Sequence, residues 1–205
     1  MKLSGRIFYT SITAITAAIV AFAVFRPITV LPRSTIAPGW SLTDASGRAI
    51  NSEMLRGHMV LYNFSSADCS GTCASQQSAL QALFDRLDRL PTEPPITFIT
   101  LRVDGSTITA HAAHGHEWLT LSGDAPTLKR VVGAGFGVFY DRTTLEPALV
   151  LVDGWGIRRA EYRQPQPSVD ALERDLGLLL DEARNSTGIA RYAYEAAHLF
   201  LCYPT

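Results

Sequence analysis

The chain has 205 residues, of which 47% are hydrophobic and 18% are charged, and its formal net charge is −1. That length suits one domain with appendages, and the sequence has neither a Lys/Arg run nor a basic stripe with interleaved aromatics, which disfavours nucleic-acid binding. Three cysteines are too few for a disulfide-rich scaffold.

The N-terminal segment, residues 1–26, is predicted to be a single-pass anchor in an inner membrane. Residues 7–25 carry no charge, and roughly 17–25 apolar residues cross a bilayer core. Lys2 and Arg6 precede this run, which places the N-terminus in the cytoplasm. A cleaved signal peptide is the alternative, because residues 21–23 read Ala-Phe-Ala. Under both interpretations we expect the rest of the chain to face the periplasm or an equivalent oxidising space.

Downstream of this segment, the pattern predicts a linker with three prolines over 27–38, one domain over 39–184 and a tail over 185–205. Apolar runs and helical spacing assign the elements of the domain. The predicted strands are two short ones within 40–51, then 59–64, 96–103, 148–152 and 157–163, and the predicted helices are 74–90, about 125–132 and 168–184, with Ser168 as N-cap. This order indicates an α/β fold, a mixed sheet covered by helices on both faces.

Cys69 and Cys73 lie in the polar loop SSADCSGTC, between a buried strand and a helix. The first N–H groups of a helix and its dipole favour an anion, so this position favours a reactive thiolate. If the helix has begun by Cys69, the two Cα atoms lie about 6 Å apart, within reach of a disulfide. The same two sulfurs suit one soft ion such as Cu(I). Two inert buried cysteines are the alternative, which the polar neighbours of the pair disfavour.

A family resemblance rests on five stretches of the sequence. They are PGWSLTDASGRAINSEMLRGHMVLYNFSSADCSGTC, ITFITLRVD, WLTLSGD, FGV and LVLVDGWG. Over roughly residues 38–165 they resemble the SCO/SenC family of membrane-tethered thioredoxin-like proteins, whose motif is CxxxC. The resemblance implies a thioredoxin-like fold. It also implies a role in assembling the copper centre of a haem-copper (cytochrome c) oxidase, either by delivering copper or by reducing the target's cysteines.

The sequence departs from the family at the copper ligand. The family usually places a copper-ligating His eight residues before the Asp that ends the penultimate strand, and counting back from Asp153 gives Leu145. Two thiolates can hold Cu(I), whereas Cu(II) wants nitrogen or oxygen ligands as well. Cys69 and Cys73 therefore carry over as candidate metal ligands, and we expect Cu(I) rather than Cu(II).

Pro147 stands just before the strand predicted over 148–152. It resembles the cis-proline that thioredoxin-like reductases keep beside their active cysteines. We hypothesise that the Glu146–Pro147 bond is cis and that Pro147 packs against the cysteine loop. An ordinary proline at the start of a strand is the alternative.

Other polar residues are weaker candidates for the site. His111, His114 and His116 suit copper or zinc and would replace the missing ligand if their loop folded over the cysteines, but we interpret them as a solvated segment. Asp104 is expected to form a turn or a cap, and the alternatives are that it tunes a thiolate or binds a partner. His198 has no evident partner in the sequence.

The tail over 185–205 carries aromatic residues in a weakly amphipathic pattern. It suits packing on the domain, binding at a membrane surface or docking of a partner. Cys202, near its end, is either an inert packed thiol, a resolving thiol or an intermolecular link.

Three functions remain open at this point. The first is a SCO-type oxidase-assembly factor, in which the pair acts as a thiol–disulfide reductase, as a Cu(I) carrier, or as both. The second is a general membrane-anchored thiol–disulfide oxidoreductase, in which Cys69 attacks and Cys73 resolves the mixed disulfide. The third is a non-enzymatic interaction module. The expected partner is a cytochrome oxidase subunit or another thiol protein.

Overall fold

A mixed β-sheet forms the centre of the fold in the computed structural model, which describes residues 2–25, 28–68, 70–106, 111–113 and 116–200. Its strands are β1 (Ser41–Asp44), β2 (Ala49–Asn51), β3 (Met59–Ser65), β4 (Ile96–Arg102), β5 (His111–Ala113), β6 (His116–Ser122), β7 (Leu149–Val152) and β8 (Arg158–Tyr162). The helices are α1 (Lys2–Phe25), α2 (Thr72–Phe84), α3 (Ala125–Leu128), α4 (Val169–Arg184) and α5 (Ala190–Phe200), and a π-helix over Lys129–Gly135 continues α3.

The strand order brings the ends of two parallel strands together. The order is β2-β1-β6-β4-β3-β7-β8, and β5 pairs with β6 outside this path. β4 runs parallel to both β3 and β6, and β7 is antiparallel to β3. The register pairs Ser65 with Arg102, the last residues of β3 and β4. In α/β folds, ligands bind just beyond such carboxyl ends, which is where the cysteine loop begins.

Both faces of the sheet are covered, as the sequence predicted. Every residue of β3 and β4 is buried, which is the pattern of strands with helices on both sides. One face packs on α2 and α4 through Leu80, Leu83 and Leu176, and the other packs on the segment around Phe136. Ser168 caps α4 as expected, because its hydroxyl accepts from the Ala171 N–H.

The prediction of a solvated segment at His111, His114 and His116 is wrong at His116, which is the first residue of β6. Residues 116–122 form a strand beside β4. Trp118 and Leu121 are buried, and the Trp118 indole N–H donates to Thr100 Oγ1 over 2.9 Å. His116 is also buried, at 3% exposure, so it is not part of a solvated segment. The sequence pattern did not indicate this strand, because His116 and Ser122 are polar residues that are nevertheless buried.

The prediction of a linker over 27–38 is also wrong for the residues that are described. Val30 and Leu31 are buried. The Ser34 N–H donates to the Arg158 carbonyl, and the Ala37 N–H donates to the Gly156 carbonyl. This segment is therefore an edge of the domain. Pro32 has no N–H to donate, but its carbonyl accepts from Arg159 Nε over 3.2 Å.

The N-terminal segment forms a helix, α1, as expected, but the expected membrane span is not supported. Within the residues that the structure describes, no helix combines the length and the apolar character needed to cross a bilayer. Large apolar side chains of α1, including Ile7, Phe8 and Ile15, are exposed.

The tail packs on the domain, one of the three roles open to it from sequence. Tyr194 and Ala197 of α5 are buried against Val30. The Tyr194 hydroxyl donates to an Asp181 carboxylate oxygen of α4. Cys202 lies outside the described residues, so its role stays untested.

Candidate functional site

The cysteine loop connects β3 to α2. Gly71 is the N-cap of α2 and has a φ of 57°, in the left-handed region that glycine adopts without a Cβ penalty. α2 begins at Thr72, so Cys73 is its second residue, while Cys69 lies outside the described residues. α2 therefore begins after Cys69 in the chain, and the expectation that both cysteines share one helical face stays untested.

Cys73 occupies the position that the helix dipole acts on most strongly. It lies in the first turn of α2, where the N–H groups lack partners within the helix and favour a negative charge. The residue is half-buried and its sulfur is in a disulfide bond. The partner of this bond is not described, because Cys69 and Cys202 both lie outside the described residues. The Ser65 hydroxyl lies 3.7 Å from the Cys73 sulfur.

A cavity of about 900 Å³ opens beside Cys73. Three segments line it: the cysteine loop, the end of β4 and the loop between Tyr140 and Leu145. Its lining residues include Ser66, Asp68, Thr72, Cys73, Asp104, Tyr140, Asp141, Arg142, Thr144 and Leu145. The cavity is open to solvent and is lined by polar and apolar groups in similar measure, which suits the approach of a peptide segment carrying cysteines.

Asp104 ties the cysteine loop to the end of β4, so the expected capping role is confirmed. Its carboxylate accepts from the Ala67 N–H of the loop and from the N–H and hydroxyl of Ser106. Burial opposes the charged form of Asp104, but these hydrogen bonds and the charge of Arg102 outweigh it and lower its pKa. Asp104 is therefore an ionised anchor of the loop.

Arg102 is a residue of the site that sequence reasoning missed. It is 5% exposed, and its guanidinium contacts Asp104, Ser106 and Ser65 at the end of the sheet. A cation inside the otherwise apolar run ITFITLRV is the signal that was available, since a buried Arg needs partners nearby.

The cis-proline hypothesis is wrong. Glu93–Pro94 is the cis peptide bond among the described residues, and Glu146–Pro147 is trans. The trans form is the intrinsically preferred one, by about 0.5–1 kcal/mol for an X–Pro bond. Glu146 is also fixed by two hydrogen bonds with the backbone of Phe139, which close the loop before β7. Pro147 therefore lacks the feature that made it a candidate catalytic residue.

Leu145 stands beside the cysteine loop, as its alignment with the family's copper-ligating His requires. It lines the cavity with Cys73 and pairs with Tyr140 across the base of the loop. Asp141, in the same loop, already accepts from the N–H groups of Thr143 and Thr144. Within the described ranges, no cluster of three or more His, Cys, Asp or Glu side chains is arranged to hold a metal ion. The described neighbours of Cys73 thus do not fit a resident Cu(II) ion.

The histidines lie elsewhere or outside the described part of the chain. His111 lies in β5, opposite Trp118, and His114 falls outside the described residues. His58 Nδ1 lies 2.8 Å from Thr97 Oγ1 at the start of β3. His198 was expected to have no partner, but its Nε2 lies 2.8 Å from Glu182 Oε1.

A second cavity, of about 1010 Å³, lies at the opposite end of β3 and contains none of the predicted site residues. Its walls include Met59 at the start of β3 and the buried ion pairs of Arg159 with Asp153 and Glu182. These groups are already paired with one another, so this cavity is a structural cleft between α4, α5 and the β7–β8 turn.

Comparisons with known proteins agree with this geometry. The family model described as SCO1/SenC matches residues 29–153. No curated protein matches the chain significantly.

Solved structures share the fold at low sequence identity. Arabidopsis thaliana ScoI with copper bound is 18% identical, with a TM-score of 0.59 over 73% of this chain and 99% of that chain. BsSco, described as having a disulfide switch and as a member of the Sco family of cytochrome c oxidase assembly proteins, is 15% identical, with a TM-score of 0.59 over 75% of this chain and 96% of that chain. The thioredoxin domain of a thiol-disulfide oxidoreductase from Bacteroides vulgatus is 17% identical, with a TM-score of 0.52 over 73% of this chain and 99% of that chain.

These likenesses confirm a thioredoxin-like fold. The family match covers more than half of the chain and includes both the cysteine loop and Asp153. The chain belongs to the SCO1/SenC family.

Proposed function

We propose that this protein is a SCO-type assembly factor for the copper centre of a haem-copper oxidase, and that it acts as a thiol–disulfide reductase through Cys69 and Cys73. One observation carries the choice of chemistry. Cys73 is disulfide-bonded in the first turn of α2, and Leu145 lines the cavity beside it where a copper-ligating His is expected. A sulfur at a helix N-terminus is suited to exchange, and the described surroundings offer no imidazole for Cu(II).

In the proposed reaction, the Cys69 thiolate attacks one sulfur of a disulfide on the target, and the other target sulfur leaves with the bonding electrons. Cys73 then attacks the Cys69 sulfur of this mixed disulfide. The Cys69–Cys73 bond forms and the second target sulfur is released. The target has gained two electrons and two protons, and a second dithiol protein returns this chain to the reduced form.

Carriage of Cu(I) is the second candidate, with the ion as cargo. The same two sulfurs, once reduced, provide two soft ligands, which are sufficient for Cu(I). Membership of the SCO1/SenC family and the copper bound in Arabidopsis ScoI support this candidate. It requires the dithiol form, so copper carriage and disulfide exchange exclude each other at any one moment.

We propose that the domain works in the periplasm or an equivalent oxidising compartment. Disulfides persist in such spaces and are rare in the cytosol, and Cys73 is disulfide-bonded. Thiol trapping in intact cells tests the location. A disulfide that is reduced as fully as cytosolic thiols would rule the compartment out.

The reduced full chain, mixed with an oxidised copper-receiving fragment of an oxidase subunit, tests the function. We expect stoichiometric reduction of the fragment, lost in Cys69→Ser and Cys73→Ser and retained in Cys202→Ser. A generic disulfide such as insulin is the comparison, because reduction of both substrates at equal rates supports a general oxidoreductase instead. Competition with a Cu(I) chelator measures the carrier role in the same samples. The proposal fails if the fragment stays oxidised and no Cu(I) binds.

A further inference from the structure

Arg102 and Ser65 meet at the carboxyl ends of β4 and β3, directly below the cysteine loop. They are paired in the parallel register of the two strands. Both are buried, at 5% and 4% exposure. Arg102 Nη1 lies 3.4 Å from Ser65 Oγ, and Ser65 Oγ lies 3.7 Å from the Cys73 sulfur. A chain of polar contacts thus runs from a buried cation to the sulfur.

Chemistry fixes the direction of these hydrogen bonds. A guanidinium has only donors, so Ser65 Oγ accepts from Arg102. The Cys73 sulfur is in a disulfide and carries no hydrogen, so the Ser65 hydroxyl is the donor of the contact with it. The competing acceptor, the Ser66 carbonyl, lies 3.5 Å from Ser65 Oγ and belongs to the adjacent residue. The one hydrogen of the Ser65 hydroxyl is thus shared between this carbonyl and the sulfur, and a negative charge on the sulfur favours the sulfur as acceptor.

The other contacts of Arg102 hold its guanidinium in place. Nε donates to Ser106 Oγ over 2.9 Å, and Nη2 donates to Asp104 Oδ2 over 3.3 Å. Asp104 offsets part of the positive charge, but it lies on Nη2 and shares its oxygens with the N–H groups of Ala67 and Ser106. Nη1 is directed at Ser65 and donates to its hydroxyl oxygen, so the positive charge of Arg102 polarises the hydroxyl that contacts the Cys73 sulfur.

We propose that Ser65, oriented and polarised by Arg102, is a positioning residue that stabilises the Cys73 sulfur as the leaving group of the disulfide. This inference rests on the proposed thiol–disulfide exchange. When an external thiolate attacks the Cys69 sulfur, the bond between the two cysteines breaks and the electron pair goes to the Cys73 sulfur. A disulfide sulfur is a weak acceptor and a thiolate is a strong one, so the Ser65 hydrogen bond strengthens as this bond breaks.

The consequence is a preference for the reduced form. The relay stabilises the dithiol state over the disulfide, in the same direction as the dipole of α2, which acts on the same sulfur. The disulfide is therefore easier to reduce than one held by the dipole alone. This difference favours the return of the chain to the dithiol form between targets, and it makes the chain a milder reductant of each target by the same factor.

The test is the equilibrium between the full chain and glutathione, measured in a Cys202→Ser background so that only the Cys69/Cys73 pair exchanges. Alkylation and mass spectrometry give the reduced fraction. We expect Ser65→Ala to lower the equilibrium constant for reduction by about tenfold, which corresponds to roughly 30 mV for this two-electron couple. Ser65→Thr keeps the hydroxyl and restores the constant. Arg102→Gln shifts it in the same direction as Ser65→Ala.

Two control variants separate the relay from general disturbance. Ser78→Ala removes an exposed hydroxyl that donates within α2 to the Ala74 carbonyl, and Arg130→Gln removes an exposed cation. Both should leave the constant unchanged. Circular dichroism checks folding, and Arg102→Gln carries the test if Ser65→Ala does not fold.

The inference is overturned if a folded Ser65→Ala chain stays within about twofold of the parent, or if Ser65→Thr does not restore the constant. The measurement needs no oxidase fragment. Failure of the chain to reduce that fragment would refute the proposed function, whereas the effect of Ser65→Ala on the equilibrium with glutathione could still be measured and interpreted.

Discussion

A buried ion network around Glu182 predicts a specific dependence of stability on pH. Glu182 Oε2 accepts from Arg159 Nη2 over 2.6 Å, and Oε1 accepts from Arg33 Nη2 over 3.1 Å and lies 2.8 Å from His198 Nε2. These partners come from β8, from the edge segment before β1 that contains Arg33, and from α5, so one carboxylate of α4 joins three parts of the fold. Arg159 also pairs with Asp153.

The magnitude follows from the pKa of this carboxyl. Burial opposes the charged form of Glu182, but hydrogen bonds and charges from His198 and Arg159 outweigh it and lower the pKa from 4.5 to about 2. Each pKa unit is worth about 1.4 kcal/mol, so the ionised group contributes roughly 3 kcal/mol to the free energy of unfolding. A depressed pKa stabilises the fold above the unfolded value near 4.5, and the contribution is lost as the pH falls through about 2.

Glu182→Gln keeps the volume and removes the charge. At pH 7 we expect urea denaturation, followed by tryptophan fluorescence, to show a loss of about 3 kcal/mol, because the buried Arg159 then keeps Asp153 as its one carboxylate partner among the described residues. The gap between variant and parent should close as the pH approaches about 2. Glu53→Gln is the matched control: its carboxylate pairs with Arg56 on the surface, and its removal should change stability little. A loss below about 1 kcal/mol at pH 7, or a gap that persists in acid, would refute the reasoning.

Two further predictions concern packing, and urea denaturation measures both. Gly154→Ala should cost about 1–3 kcal/mol, because its Cβ would lie 3.0 Å from the Gly57 Cα, a backbone atom that cannot move aside. Gly133→Ala is its control, with nothing within 4 Å, and equal losses in the two variants would contradict the account. Trp118→Phe should cost about 1–3 kcal/mol, because Thr100 loses a buried hydrogen bond. A loss below about 0.5 kcal/mol would show that this bond contributes little.

Local pattern was sufficient for the elements that bury a continuous apolar run. β3, β4 and β7 follow directly from MVLYNF, ITFITLRV and ALVLV, since a strand covered on both faces has no polar alternation to obscure it. The helix after the cysteine loop was also placed correctly, although it starts at Thr72 and ends at Phe84, before the predicted end.

The features that were not predicted from the sequence depend on contacts between segments that are distant in the chain. β6 begins with His116, which the sequence assigned to a solvated segment, yet its pairing with β4 makes it a central strand. The prolines of residues 27–38 indicated a linker, but Ile36 pairs with Ile157 at the edge of the sheet. His198 has its partner on α4, sixteen residues earlier in the chain. In each case the sequence alone did not show which distant segment pairs with the strand or binds the polar side chain.

The candidate site divides in the same way. The position of Cys73 at the start of a helix was predictable from the predicted order of strand, loop and helix. The Ser65–Arg102 contact was not predictable, because it depends on the parallel register of β3 and β4. The cis hypothesis for Pro147 was wrong because the resemblance to reductases concerned this proline alone and not the loop that precedes β7. Leu145, transferred by counting back from Asp153, does line the cavity of Cys73, because that count ends within the same loop.

The position of Leu145 allows the role of the missing histidine in Cu(II) binding to be tested by substitution. The residue pairs with Tyr140, and Asp141 holds the intervening turn, so a side chain at this position sits on a fixed loop beside the Cys73 sulfur. Leu145→His therefore adds one imidazole to two thiolates, a set that suits Cu(II). We expect the reduced variant to bind one Cu(II), seen as a sulfur-to-copper charge-transfer band, and to lose it as the pH falls below about 6.5, where imidazole is protonated.

Leu145→Gln is the control, because it has similar size and polarity without a nitrogen ligand. If Leu145→His binds Cu(II) no better than Leu145→Gln, the distance between this position and the sulfurs is too large for a shared metal. The absence of histidine would then not explain a preference for thiol exchange. If only the histidine variant binds, a single side chain separates the chemistry proposed for this chain from a Cu(II) site on the same cysteine loop.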